Sequence, residues 1–356
     1  MQENTLNQPI DADIETTDKK EIFPVEFTEK SLVSPKQKLQ FEYNGSGAEL
    51  FGIYLKTIFL TIITLGIYRF WGKVEITKFF YASTRVGDHC FAYHATGKEK
   101  LIAFIKGIFF VGLFLFIMFL INVLFTTVLG PIVGSIIVGI VYIATFFIIQ
   151  PLLIFGSHRF WLSRSSYCNV RFRYQFDLMR FTKIYLKDFL LVLLTLGIYF
   201  PWFLNKLFFN LISNTYLGDK KFSYHGNSKD IFKIYAVGFL LTILTLGIYS
   251  FWFRANLTRY ICNNTELDNN PIHSEITGLD YFLVTLYSIV LVLFTLGIGF
   301  SWAVNNAFRV FITRMSITID PAELANFVNY SDTQASAFAD GVGEAAEAID
   351  VISDIF

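Results

Sequence analysis

A short apolar motif occurs four times in the chain, and its spacing constrains the fold more than any other feature. The motif reads TLGIY from Thr64, Thr195 and Thr245 and TLGIG from Thr295, and a tryptophan follows each copy within three residues. The last three copies are spaced by 50 residues, and the first two are 131 apart, which fits two units of which one is enlarged. Repetition at a fixed period of this length predicts an array of one supersecondary unit, about five in number.

The composition favours a membrane protein. Hydrophobic residues make up 54% of the chain and charged residues 16%, against about 25% charged residues in soluble domains. Residues 107–157 contain no Asp, Glu, Lys or Arg, and this stretch is roughly twice as long as one membrane-crossing helix. Because Gly130-Pro131 lies near its middle, the stretch predicts two transmembrane helices, about 101–126 and 132–155, joined by a tight turn.

Each unit begins with a short aromatic alternation. It lies 23 residues upstream of the motif in every unit that has one, and the units start at Phe41, Phe91, Phe172, Phe222 and Ile272. The pattern Phe-x-Tyr predicts a short strand. Lys and Arg cluster around these strands, and the positive-inside bias places such segments in the cytoplasm. Each unit is therefore predicted to enter the membrane, turn at the TLGIY motif and return to the cytoplasmic side.

The predicted fold is an all-α membrane protein of about five repeated transmembrane or re-entrant helical hairpins with short cytoplasmic β segments. The returning arms have room for about 15 helical residues, roughly 22 Å, which is shorter than the bilayer core. The predicted domains are a polar cytoplasmic segment at residues 1–40, a repeat-built membrane domain at 41–319, and an acidic tail at 320–356. No cleavable signal peptide is predicted, and both ends are expected in the cytoplasm.

Recurring positions of the turn motif form the first set of candidate residues. The motif glycines are predicted to permit a tight turn or close helix packing, and the tryptophans to anchor at an interface. A broken-helix substrate site is the functional alternative. These residues are Gly66, Gly197, Gly247, Gly297, Trp71, Trp202, Trp252 and Trp302.

Polar side chains on the returning arms form the second set. They are predicted to face the protein interior, because polar groups are costly against lipid. A pathway lining and interhelical hydrogen bonds account for them equally well. The residues are Asn210, Asn256, Arg259, Asn305 and Arg309. Lys56 and Lys187, each inside the sequence IYLK, are expected to extend towards the lipid headgroups.

The sequence gives no reason to expect an enzyme, a cofactor or a metal. No nucleophile stands near a base and an orienting group at usable spacing. Cys90, Cys168 and Cys262 are scattered, and His94 and His225 share a repeat position that tolerates any polar residue. A net charge of zero with acids at both ends excludes nucleic acid as a partner. The expected partners are membrane lipids, with a second copy of the chain or other membrane proteins as further candidates.

The unit start FxYxGxxxELF at 41–51, the repeated TLGIYxFW and the acidic tail together resemble the YjgN family of bacterial multi-pass inner-membrane proteins. The likeness covers about residues 41–319 and departs from the pattern at Gly299 and in the second unit, which keeps only HRFW at 158–161. The resemblance implies an inner-membrane location and offers no catalytic residues. A structural or lipid-interacting scaffold is the predicted function, and a small-solute transporter or channel is the alternative.

Overall fold

The computed structural model describes residues 36–320. The acidic tail after Asp320 and all but the last five residues of the predicted N-terminal segment lie outside the described residues.

Pairs of strands alternate with pairs of helices through residues 36–320. The strands are β1 (Gln37–Tyr43), β2 (Thr84–Val86), β3 (His89–Tyr93), β4 (Ser165–Tyr167), β5 (Val170–Tyr174), β6 (Thr215–Leu217), β7 (Lys220–Tyr224), β8 (Thr265–Leu267), β9 (Asn270–Ser274) and β10 (Met315–Ile319). The helices are α1 (Gly47–Ile63), α2 (Arg69–Ala82), α3 (Gly97–Leu129), α4 (Pro131–Ser163), α5 (Leu178–Leu194), α6 (Phe200–Ile212), α7 (Ser228–Leu244), α8 (Ser250–Asn263), α9 (Gly278–Phe294) and α10 (Phe300–Thr313).

The strands form one closed antiparallel barrel, so the prediction of an all-α membrane fold was wrong. Each strand pairs with its neighbours in chain order, and β1 pairs with both β2 and β10. The sequence revealed the longer Phe-x-Tyr strands, but β2, β4, β6 and β8 have only three residues each and show no readable alternation. Closure pairs the strand edges that isolated connectors would have left open.

Side chains of alternate residues fill the barrel in layers. Along β1, Leu39, Phe41 and Tyr43 are the more buried positions, while the residues between them are exposed. Next to the helices, Tyr43 lies opposite Thr84 of β2, and the same Tyr-to-Thr pairing joins Tyr224 to Thr265. The middle layer is apolar and forms one cluster across the barrel, made of the unit-start residues and their cross-strand partners.

The helices also form a closed ring. Each helix packs against the next one along the chain, and α10 packs against α1. The described part of the chain is therefore a ring of five helical hairpins joined to a barrel of five strand pairs.

Helix length separates one hairpin from the other four. Among the described residues, two helices are long and apolar enough to cross a membrane, Gly97–Leu129 and Pro131–Ser163. Each has 33 residues, or roughly 50 Å of helix. The other eight have 13 to 17 residues and span at most about 25 Å, so the all-α prediction also overstated the number of full spans.

Candidate membrane-contacting surface

The TLGI turns share one hydrogen-bond pattern. At the end of α1, the Gly66 N–H donates to Thr61 O at 2.7 Å and the Leu65 N–H donates to Ile62 O at 3.2 Å. These two bonds form a Schellman motif, which satisfies carbonyls that a helix end leaves free. The Thr64 hydroxyl donates to Leu60 O at 2.7 Å and accepts from the Tyr68 N–H at 2.9 Å, so one side chain links the end of α1 to the start of α2.

The leucine of each turn has an unusual backbone conformation. Leu65, Leu196, Leu246 and Leu296 all have φ of +50°, a left-handed conformation that costs an L-residue roughly 1–2 kcal/mol. The Schellman motif normally places glycine at this position. These leucines are also 93–95% exposed. Each turn therefore presents a large apolar side chain on a strained backbone, with no protein contact that would compensate.

The glycine that follows each leucine is required by conformation. Gly66, Gly197, Gly247 and Gly297 have φ between +90° and +95°. A Cβ atom added to any of them would meet no atom within 4 Å. Positive φ, rather than the close helix packing that the sequence left open, explains these glycines.

The hairpins expose much more apolar surface than a soluble protein does. In α1, Ile58, Phe59, Ile62 and Ile63 are 55–70% exposed, and the same holds along the first helix of the other hairpins. In the most apolar stretches of α3 and α4, only 6% and 11% of the residues are buried. Continuous apolar patches of this size mark contact with a membrane or another protein.

The motif tryptophans connect neighbouring hairpins. The Trp302 ring lies against Gly47, the first residue of α1, where an added Cβ would be 2.4 Å from the indole. Trp71 lies in the same way on Gly97, and Trp252 on Gly278. In the remaining motif unit the position is Ser228, and Trp202 contacts the Phe232 ring instead, at a centroid distance of 4.8 Å. These tryptophans are packing residues between hairpins.

Two buried asparagines fasten helices to the barrel. The Tyr43 hydroxyl donates to Asn305 Oδ1 at 2.6 Å, and Asn305 Nδ2 donates to Gly45 O at 3.0 Å. A Cβ at Gly45 would lie 2.1 Å from the Tyr43 hydroxyl, so only glycine fits here. Burial raises the pKa of Tyr43 to about 12, which keeps the hydroxyl a donor at ordinary pH.

The same arrangement recurs two units away around the ring. The Tyr224 hydroxyl donates to Asn205 Oδ1 at 3.1 Å, and Asn205 Nδ2 donates to Gly226 O at 3.0 Å. Burial again raises the tyrosine pKa. Asn205 was not among the predicted residues, although its position, three residues after a motif tryptophan, is also that of Asn305.

The predicted polar stripe divides into three separate places. Asn305 and Arg309 converge on Gly45 O, to which Arg309 Nη2 donates at 3.0 Å. Asn256 and Arg259 bond to each other at 2.7 Å, with Arg259 on an exposed position. Asn210 is buried, and its backbone carbonyl accepts from the Tyr174 hydroxyl at 3.3 Å.

Two ion pairs bridge the arms of their own hairpins. Lys56 Nζ lies 2.9 Å from a Glu75 carboxylate oxygen, and the Tyr68 hydroxyl also donates to that carboxylate. In the third hairpin, Lys206 Nζ lies 2.7 Å from Asp188, whose side chain is 3% exposed. Lys56 was expected to extend towards the lipid headgroups, and Asp188 was not among the candidate residues.

The two long apolar helices and the exposed apolar faces of the short hairpins are features of a membrane protein. The family model described as "Bacterial protein of unknown function (DUF898)" matches residues 38–235, 219–273 and 253–345. These matches cover most of the chain, and the protein belongs to the DUF898 family. No solved structure shows significant similarity to the chain.

Curated relatives are similar to the chain over a limited stretch. "Inner membrane protein YjgN" of Escherichia coli strain K12 is 34% identical over 70 residues, which is 20% of this chain and 18% of the relative. "Inner membrane protein YjgN" of Salmonella typhimurium is 38% identical over 61 residues, or 17% of this chain and 15% of the relative. The chain thus spans less than a fifth of the relatives it matches, and the resemblance to the YjgN family is confirmed at the level of family.

Proposed function

We propose that the protein is a lipid-binding scaffold of the bacterial inner membrane. The observation that carries this proposal is the set of exposed leucines at positive φ in the TLGI turns. The names of the relatives support the inner-membrane location. In this proposal the α3–α4 hairpin crosses the bilayer, and the four short hairpins enter it from one side without crossing.

The energies of the turn leucines favour lipid as their surroundings. A leucine in the left-handed region costs roughly 1–2 kcal/mol. Moving a fully exposed leucine side chain from water into an apolar medium gains about 2 kcal/mol. In water nothing offsets the backbone strain. In hydrocarbon the transfer free energy of the leucine side chain nearly balances it. The same turn then becomes a stable apolar tip.

Charge supports the orientation with the barrel and both chain ends in the cytoplasm. The ten strands of residues 36–320 lie in one barrel, so they share one side of any bilayer that the hairpins enter. Exposed basic residues stand on the outer face of the barrel, including Arg85, Arg171, Arg173 and Lys221. Lys and Arg close to membrane segments favour the cytoplasmic side.

Spin-label accessibility tests the insertion of the turns. Single cysteines replace Leu246 at a turn and Lys221 on the barrel, in a background in which Cys90, Cys168 and Cys262 are changed to alanine. In lipid nanodiscs, oxygen, which concentrates in hydrocarbon, is expected to increase the relaxation rate of the label at position 246. A water-soluble nickel chelate is expected to leave that rate unchanged. The label at 221 should behave in the opposite way. Nickel access at position 246 as high as at 221 would refute insertion.

A small-solute transporter or channel is the second candidate, because the helices form a closed ring and the buried Asp188 carboxylate of α5 pairs with Lys206 of α6. The barrel interior argues against a path for ions along the barrel, since its middle layer is apolar. Solute flux into proteoliposomes, measured for the parent protein and for Asp188→Asn, separates the two. Flux that Asp188→Asn abolishes without loss of folded protein would favour transport. We propose no catalytic role.

A further inference from the structure

The barrel contains a cavity that none of the contacts described above explains. Its volume is about 210 Å³. Five unit-start residues line it and are partly buried. These residues are Phe41, Phe91, Phe172, Phe222 and Ile272.

The walls of the cavity offer hydrocarbon and nothing else. Among the described residues that line it, the single polar side-chain atom is the Tyr167 hydroxyl. That hydroxyl already donates to Val86 O at 2.8 Å and is buried. Engineered apolar cavities of about 150 Å³ stay free of water and take up benzene. A larger cavity with apolar walls therefore fits an apolar guest better than it fits water.

The two ends of the barrel differ in what surrounds them. At the end that joins the helices, Tyr43, Tyr93, Tyr174 and Tyr224 are 3–8% exposed. At the other end are the tight turns between paired strands, such as Gly87-Asp88 between β2 and β3. Inward-facing Ile319 lines the cavity near that end, opposite Gln37. The turn end is therefore the end of the barrel that faces away from the helices.

We propose that the barrel cavity is a binding site for the hydrocarbon chain of a small amphiphile, such as a medium-chain fatty acid. The chain occupies the apolar middle layer, and the polar group stays among the turns. In this proposal the guest enters between the turns, at the end away from the helices, so it is a free amphiphile from the aqueous phase and not the tail of a bilayer lipid. This choice of source rests on the proposed insertion of the hairpins, whereas the binding itself does not.

Photolabelling tests the proposal on the full chain in nanodiscs. The probe is decanoic acid with a diazirine at the end of its chain, and mass spectrometry locates the labelled residues. Saturable labelling of the inward residues of the strands is expected, together with its loss when unlabelled decanoic acid is added in excess. Labelling of the barrel that is absent, or that excess decanoic acid leaves unchanged, would overturn the proposal. Labelling at Leu246 reports lipid partition and is expected not to saturate.

A matched pair of variants separates the cavity from the barrel surface. Leu217→Trp fills the cavity from β6 and should abolish the barrel labelling. Tyr216→Trp lies on the outer face of the same strand, beside Arg173 and Lys221, and should leave it intact. Should Leu217→Trp fail to fold, Leu267→Phe gives a smaller filling at the equivalent position of β8. Undiminished saturable labelling in a folded, filled variant would also overturn the proposal.

A second probe decides the source of the guest. A phospholipid with the diazirine at the end of one acyl chain replaces the fatty acid in the nanodisc. Labelling of the helices but not of the barrel is expected. Barrel labelling by the phospholipid would refute an aqueous source and would count against the proposed orientation. Nickel access at position 246 together with normal fatty-acid labelling would refute only the insertion of the hairpins, and the binding proposal would stand.

Discussion

The barrel and the helical hairpins are built from the same repeating units, yet their apolar residues point in opposite directions. In the barrel, Val86, Leu217, Leu267 and Ile317 are 3–6% exposed and face inward. At the hairpin tips, leucines of the same chemistry are more than 90% exposed. One unit therefore carries two kinds of surface along its length. The difference teaches that the two regions are adapted to two solvents, water around the barrel and hydrocarbon around the hairpins.

The largest predicted effect compares one substitution in the two regions. Leu217→Asp buries an unpaired carboxylate in the barrel and should destabilise the protein by more than about 4 kcal/mol, which would abolish folded protein. Leu246→Asp, at a tip whose carboxylate can turn towards water or the detergent headgroups, should cost much less. Thermal unfolding in detergent measures both. Equal losses at the two positions would remove the contrast between the regions.

The next effect concerns backbone conformation at the tips. Gly247→Val forces a β-branched residue to φ of +95° and should cost about 3 kcal/mol. Gly52→Val is the matched control, because Gly52 lies in α1 with no atom within 4 Å of an added Cβ. Chemical unfolding in detergent should show a loss for the first variant only. A stable Gly247→Val protein would mean that the tip conformation is not required.

A smaller effect is expected where the two regions join. Asn205→Ala removes the bonds that Asn205 makes to Tyr224 and Gly226 and leaves buried polar groups without partners, which should cost about 2 kcal/mol. Asn256→Ala removes a bond to exposed Arg259 and should cost less than about 0.5 kcal/mol. Similar unfolding midpoints for the two variants would show that the helices hold the barrel by packing alone.

The smallest effect is a dependence of barrel stability on pH. Burial lowers the pKa of His94 below its usual 6.5, and Arg171, Lys78 and Arg164 lower it further. The unfolded chain then binds the proton more readily than the folded one, so stability is complete above pH 6.5 and falls as the pH drops from 6.5 towards the lower pKa of the folded state. Because His94 is partly exposed, the loss should be less than about 1 kcal/mol. His94→Gln should reduce the change in unfolding midpoint between pH 7 and pH 5. An unchanged pH dependence would mean that another group causes it.

The sequence predicted features that depend on neighbouring residues better than features that depend on distant ones. Repetition of TLGI gave the positions of the turns, and glycine indicated positive φ because few other residues adopt it. The barrel depends on pairing between units, such as Tyr43 with Thr84 across a whole hairpin. Strands of three residues carry too little pattern to reveal that pairing. Membrane composition then favoured an all-helical fold.

The candidate residues show the same limit. Helical spacing grouped Asn210, Asn256 and Asn305 as one stripe, although they lie on three helices and make unrelated bonds. Asn205 shares the repeat position of Asn305, and a comparison of units by register would have found it. The bond between Asp188 and Lys206 joins two arms across a turn, so spacing along a single helix does not predict it.

The pairing of β1 with β10 also determines when the barrel can close during synthesis. Gln37 lies opposite Ile319, so this pairing requires almost the entire described chain to have left the ribosome. Contacts between such distant residues form slowly, because a long loop must close before they stabilise anything. During synthesis, hairpins formed early must persist with an unpaired strand at the edge of an open sheet. The last five-residue strand therefore acts as the final step of assembly, and the nascent chain is most exposed to aggregation just before it arrives.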